Sequence, residues 1–135
     1  MSILAGETIT PTLLASLTDP VASSGSVTPA SSFSVTTFEA YDAGGNTTLT
    51  VALAYSGSTV TASSTGHISG GLNICTLPAA MFPPMQMYGA YVISGTSAGT
   101  LTVNTSGVVT LQTLYPSQAL ASGQTVYFTM TIPTG

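Results

Sequence analysis

The stretch GTLTVNTSGVVTL, residues 99–111, contains a complete β-hairpin and no charged residue. Leu101 and Val103 alternate with Thr102 and Asn104, so two apolar side chains share one face of a strand and two polar ones the other. Ser106-Gly107 supplies the turn, because glycine takes a positive φ at no steric cost. Val109 and Leu111 resume the alternation on the return strand. The threonines suit this position, since β-branched side chains fit a pleated surface. A hairpin alone is marginal in water, so this one must pack against more sheet.

The same pattern recurs outward from the hairpin. In QTVYFTMTIPTG, Val126, Phe128, Met130 and Ile132 share a face opposite Tyr127, Thr129 and Thr131. Upstream, FSVTTFEAY and TTLTVALAYS flank DAGGN, a hairpin loop. STVTASS, LNICTL (entered through the glycine-rich HISGG) and MQMYGAYVISG complete a run of about eight short strands, which predicts an all-β antiparallel sandwich or jelly-roll-like domain over residues 31–135. Residues 1–30 read as an N-terminal anchor segment and linker. Thr10 caps a short helix, Pro11 suits its first position, and Asp19-Pro20 ends it. Ile9, Leu13, Leu14 and Leu17 form one apolar stripe at helical spacing, and Ile3-Leu4 makes an apolar tip. So short a helix needs the stripe to dock, either on its own domain or on another chain. VASSGSVTPASS, residues 21–32, reads as a Ser/Gly/Pro linker with nothing to bury.

Composition excludes several partners. The 135 residues include no lysine or arginine, and charged residues are 3% of the chain against a usual share of about 25%. Glu7, Asp19, Glu39 and Asp42 are the only charged side chains, all in the first third. Nucleic-acid binding by counterion release requires basic residues, as does attraction to an anionic membrane or a phosphate ligand. No stretch of about 20 apolar residues exists to form a transmembrane helix, and the N-terminus lacks the basic and long apolar regions of a signal peptide. Too few strands and no aromatic girdles argue against a membrane barrel. Uncharged sheet edges lack the usual gatekeepers, which points to an obligate oligomer whose subunits cover one another's edges.

Residues that carry chemistry are sparse. His67 in STGHISGG coexists with serines and acids, but no nucleophile-elbow pattern surrounds any serine. One histidine, one cysteine and four scattered carboxylates offer no metal-ligand spacing. Glu39 and Asp42 would act as an acid–base pair only if the fold brought them together. Cys75, alone in NICTL, cannot form an intrachain disulfide and reads as a small buried hydrophobe. The sequons at Asn46 and Asn104 read as chance matches in an Asn/Thr-rich chain. Tyr41, Tyr55, Tyr88, Tyr91, Tyr115 and Tyr127 read as half-buried strand residues with wet hydroxyls, and alternatively as platforms for sugars. No catalytic residue, metal or cofactor is expected.

LPAAMFPP, MYGAYVI, GTLTVNTSGVVTL and ALASGQTVYFTMTIPTG, in that order over residues 70–135, resemble the β-rich head domains of phage fibres and baseplate receptor-binding proteins. Leu77, Pro78 and Pro83 match the first block, while Phe82 stands where arginine is usual. The leader ILAGETITPTLLASL is similar to the AGxxIT-x-x-x-L start of many phage tail-fibre, minor tail and head-fibre proteins. Ala5, Gly6, Ile9, Thr10 and Leu13 or Leu14 carry that match, and Ala15 departs from the asparagine common there. The resemblance implies a non-enzymatic virion structural protein, made in the host cytoplasm and displayed on the virion surface. It would be a head fibre or decoration protein, most simply a homotrimer, attached to a capsid or tail protein through Ile3, Leu4, Ile9, Leu13, Leu14 and Leu17. The alternative is the glycan-binding tip of a tail fibre or baseplate.

Overall fold

The computed structural model describes residues 21–22, 25–94 and 97–133. The expected helix over residues 10–19, and with it all six anchor candidates, lies outside the described residues.

Seven strands of six residues or more build the fold: β3 (Phe33–Ala43), β4 (Asn46–Tyr55), β6 (His67–Thr76), β7 (Met87–Ile93), β8 (Ser97–Val103), β9 (Val108–Thr113) and β11 (Thr125–Pro133). Four strands are only two residues long: β1 (Val21–Ala22), β2 (Thr28–Pro29), β5 (Val60–Thr61) and β10 (Ala119–Leu120). Nine of them form one antiparallel sheet in the order β1-β3-β4-β11-β7-β8-β9-β6-β2, while β5 and β10 pair separately. The sheet folds over at the β11–β7 junction, where the ladder has only two pairs, Val126↔Ile93 and Tyr127↔Val92. The halves on either side pack face to face over one core, and β2 returns beside β3, so the sheet nearly closes on itself. The all-β, sandwich-like expectation is met.

The alternation of each strand decides which face it buries. In β11, Val126, Phe128, Met130 and Ile132 enter the core while Tyr127, Thr129 and Thr131 face out. In the β8–β9 hairpin, Leu101 faces Leu111 and Val103 faces Val109, all four fully buried. Removing any one leucine from this layer leaves a cavity and costs about 2–5 kcal/mol. The turn is longer than Ser106-Gly107 alone. The Gly107 N–H donates to the Asn104 C=O, and the Asn104 Oδ1 accepts from the Ser106 and Val108 N–H groups, each at 3.0 Å. Gly107, at φ +78°, closes this loop. The β3–β4 turn is the expected one: Ala43 pairs Asn46, and Gly44-Gly45 both take positive φ, as a two-residue hairpin requires.

Two readings are corrected. Residues 21–32 are not a linker with nothing to bury: Val27 enters the core, β1 pairs with Asp42 and Tyr41, and β2 pairs with Thr76 and Cys75. Among the described residues the sheet therefore begins before residue 31, at Val21. Val27 and Ala30 on the core and the two short ladders hold the segment, a pattern too short for periodicity to show. STVTASS contributes only the two-residue β5, paired with β10.

The edges are also guarded more fully than composition suggested. β1 and β2 are short, the β3–β4 register shifts between Val35 and Thr37, and β6 breaks its pairing with β9 between His67 and Leu72, where Gly70 and Gly71 take positive φ. Short edge strands and bulges protect an edge without any lysine.

Candidate interaction surface

The outer faces of β4, β11, β7, β8 and β9 form a broad surface of threonine and tyrosine. Cross-strand pairing sets Thr48 beside Thr131 and Thr50 beside Thr129, with hydroxyl oxygens 3.0 and 3.2 Å apart. On the other flank of β11, Tyr127 stands opposite Val92. Tyr88 is four residues along β7 from Val92, on the same face. These three side chains are 42%, 51% and 75% exposed, respectively for Tyr127, Val92 and Tyr88, so an apolar stripe lies open to water. Beside it a shallow cavity of about 230 Å³ opens between β11 and β7, with Thr50, Ala90, Val92, Tyr127 and Thr129 among its walls. These five strands carry no charged residue, but Glu39 on β3 pairs across to Thr50 and borders the surface with an acid.

The tyrosines divide into two sets. Tyr41, Tyr88, Tyr115 and Tyr127 are exposed. Tyr55 and Tyr91 are buried, and each hydroxyl donates to a backbone carbonyl, of Ser58 and of Thr113 respectively. Burial pushes the Tyr91 phenol up to about 12. Tyr91 lies opposite Gly99, and the missing side chain there admits its ring across β8 to the Thr113 carbonyl on β9. An aromatic covering a strand glycine in this way fixes the register.

A second close approach joins the proline-bounded turn to the hairpin. After Leu77 and Pro78, a single 3₁₀ turn (Ala79–Met81) buries Met81 and leads to Phe82. The Leu77 N–H donates to the Gly107 C=O at 2.8 Å, and the Phe82 ring lies on Gly107, where a Cβ would come within 2.5 Å of it. The segments LPAAMFPP and GTLTVNTSGVVTL are thus in direct contact.

The structure separates the groups considered for catalysis. Glu39 and Asp42 are three residues apart in the regular part of β3, so they point to opposite faces. The Asp42 Oδ1 accepts a hydrogen bond from the Thr47 hydroxyl, tying down the β3–β4 turn. His67 opens β6, exposed, with its backbone N–H donating to the Ser63 Oγ. Cys75 is buried, and desolvation pushes its thiol up to about 12, which matches the reading of an inert hydrophobe. Among the described residues no group of three or more His, Cys, Asp or Glu side chains could hold a metal ion, and no helix is long and apolar enough to cross a membrane.

Sequence reasoning did not single out Val92, Met85 or Phe82 as exposed. MYGAYVI is apolar at nearly every position, so alternation alone did not say which face of β7 turns outward. Comparison with known proteins finds no matching family model and no similar curated protein.

Proposed function

We propose that this chain is a non-enzymatic structural protein of a bacteriophage virion, a head fibre or decoration protein that assembles with copies of itself, most simply as a trimer. Its N-terminal segment attaches it to a capsid or tail protein, and the β domain projects outward. The observation that carries this reading is the exposed stripe of Tyr88, Val92 and Tyr127 on the outer face of β7 and β11, two strands without a charged residue. Tyrosine is enriched in protein interfaces, and uncharged surfaces meet without desolvating ions.

Immunogold labelling of particles from infected cells that express the chain tests attachment. Labelled capsids or tails are expected, and unlabelled particles would refute it. Light scattering on the full chain tests assembly, with a mass of three 13.5 kDa chains expected. The second reading, a glycan-binding tip, is favoured by the neutral cavity beside Tyr127. Glycan-array binding abolished by Tyr127→Ala would select it.

A further inference from the structure

Closing the sheet would bring β3 and β6 side by side, yet among the described residues no ladder joins them. The segment 21–30 lies between them instead. Val21 and Ala22 pair with Asp42 and Tyr41 on β3, and Thr28 and Pro29 pair with Thr76 and Cys75 on β6. The Ala30 N–H then donates to the Ile74 C=O at 2.9 Å. Between the two ladders Val27 enters the core.

The hold is thin at every level. Each short ladder has two pairs, whereas β11 and β4 share an unbroken run from Thr125↔Ala54 to Pro133↔Asn46. Of residues 25–30 only Val27 is buried, Ala30 is half-buried, and Gly25, Ser26, Thr28 and Pro29 are exposed. Ordering a segment costs backbone entropy at each residue, and here one valine and one alanine supply the apolar burial that offsets it.

The downstream end of the segment is built as a hinge. The Phe33 N–H donates to the Ala30 C=O at 3.1 Å, closing a turn in which Ser32 sits at φ +72°. That left-handed conformation is costly for a residue other than glycine. Past this point the chain is fastened. The Ser32 C=O accepts from the Ser56 N–H at 2.8 Å and from the Ser56 Oγ at 3.2 Å, and the Phe33 ring packs 4.9 Å from the Tyr55 ring. Strain and sparse bonding lie upstream of Ser32, and firm packing lies downstream.

We infer that residues 21–30 are a releasable strap, which swings out as a unit about Ser31-Ser32 while β3 to β11 stay folded. Release opens the seam between β3 and β6 and withdraws Val27. β6 loses a backbone partner at Cys75, whose thiol belongs to the core cluster and stays there. Residues 1–20 continue directly from Val21, so a partner that binds them draws on β1 first. Drawn out, residues 21–30 span on the order of 30 Å, which lets a domain held by its N-terminal segment move that far without unfolding. The strap does not depend on the virion reading above, since it follows from contacts within one chain.

The test is native-state amide hydrogen exchange of the full chain, read residue by residue by NMR. The Ala30 amide should exchange at least about 100-fold faster than the amides of the β4–β11 ladder, with a weaker dependence on urea because release exposes less surface. Leu101→Ala lowers global stability and should speed the ladder amides at least about 30-fold, while Ala30 keeps its rate because Leu101 stays buried when the strap leaves. Ile93→Val makes the same comparison with a milder loss, about two- to tenfold at the ladder, should Leu101→Ala not fold. Ala30 exchanging with the ladder amides, and speeding up with them in either variant, would make the segment part of the core's own cooperative unit and overturn the strap. Fast exchange of the β3 amides bonded to β4 together with Ala30 would carry the opening past Ser32 and overturn the hinge.

Discussion

Gly99→Ala tests the packing that sets the register beside the threonine and tyrosine surface. A Cβ at residue 99 would lie 1.9 Å from the Thr113 carbonyl oxygen, 2.7 Å from its carbon and 2.8 Å from the Tyr91 hydroxyl. Carbon and oxygen rest at about 3.3–3.6 Å, so β8 and β9 must part by more than an ångström, and the Tyr91 hydroxyl must give way as well. Forcing a group into a packed site costs about 1–3 kcal/mol. Breaking the buried bond from Tyr91 to the Thr113 carbonyl, 2.6 Å long, adds a cost of about 1–3 kcal/mol. Together the loss is about 2–6 kcal/mol, a large part of the 5–15 kcal/mol typical of a domain. In urea the unfolding midpoint should fall on the order of 2 M. Tyr91→Phe alone should cost about 1–2 kcal/mol, since it removes the bond and keeps the ring. The double variant should cost less than the two single losses together, because the shared bond is lost only once. A loss below about 1 kcal/mol for Gly99→Ala would mean that β8 and β9 separate freely, and would refute the register argument.

Three further outcomes are expected. Alkaline pH should destabilise the fold, because Cys75 and Tyr91 release protons near 12 when folded but near their ordinary values of 9.0 and 10.0 when unfolded. Between those values the unfolded chain holds fewer protons, so stability is full below pH 9 and declines up to pH 12, as urea midpoints across that range will show. The Cys75 thiol should react with a thiol reagent at the rate of global unfolding, and rapid labelling of the native chain would contradict its burial. Asn104→Ala should cost about 1–2 kcal/mol in thermal or urea unfolding, because the Ser106 and Val108 N–H groups lose their shared acceptor.

The sequence by itself determined the class of fold and much of the core. Leu101, Val103, Val109 and Leu111, and then Val126 to Ile132, alternate with polar partners, and a period of two leaves only one face for each side chain. Gly44-Gly45 determined a hairpin turn for the same local reason, since positive φ is a property of the residue itself.

Other features depended on contacts between residues far apart in the chain. Glu39 and Asp42 are neighbours in sequence, yet strand pairing sets them on opposite faces. Val27 reads as part of a soluble linker until a core exists to receive it. The strand MYGAYVI is apolar on both sides, so only its pairing with β8 and its divergence from β11 decided that Tyr88 and Val92 face water while Tyr91 is buried. The cavity between β11 and β7 arises in the same way. A strand's pattern states which face it buries, but its edge partner is chosen by the whole sheet, and where β11 and β7 part was decided by the curvature that packs one half of the sheet on the other.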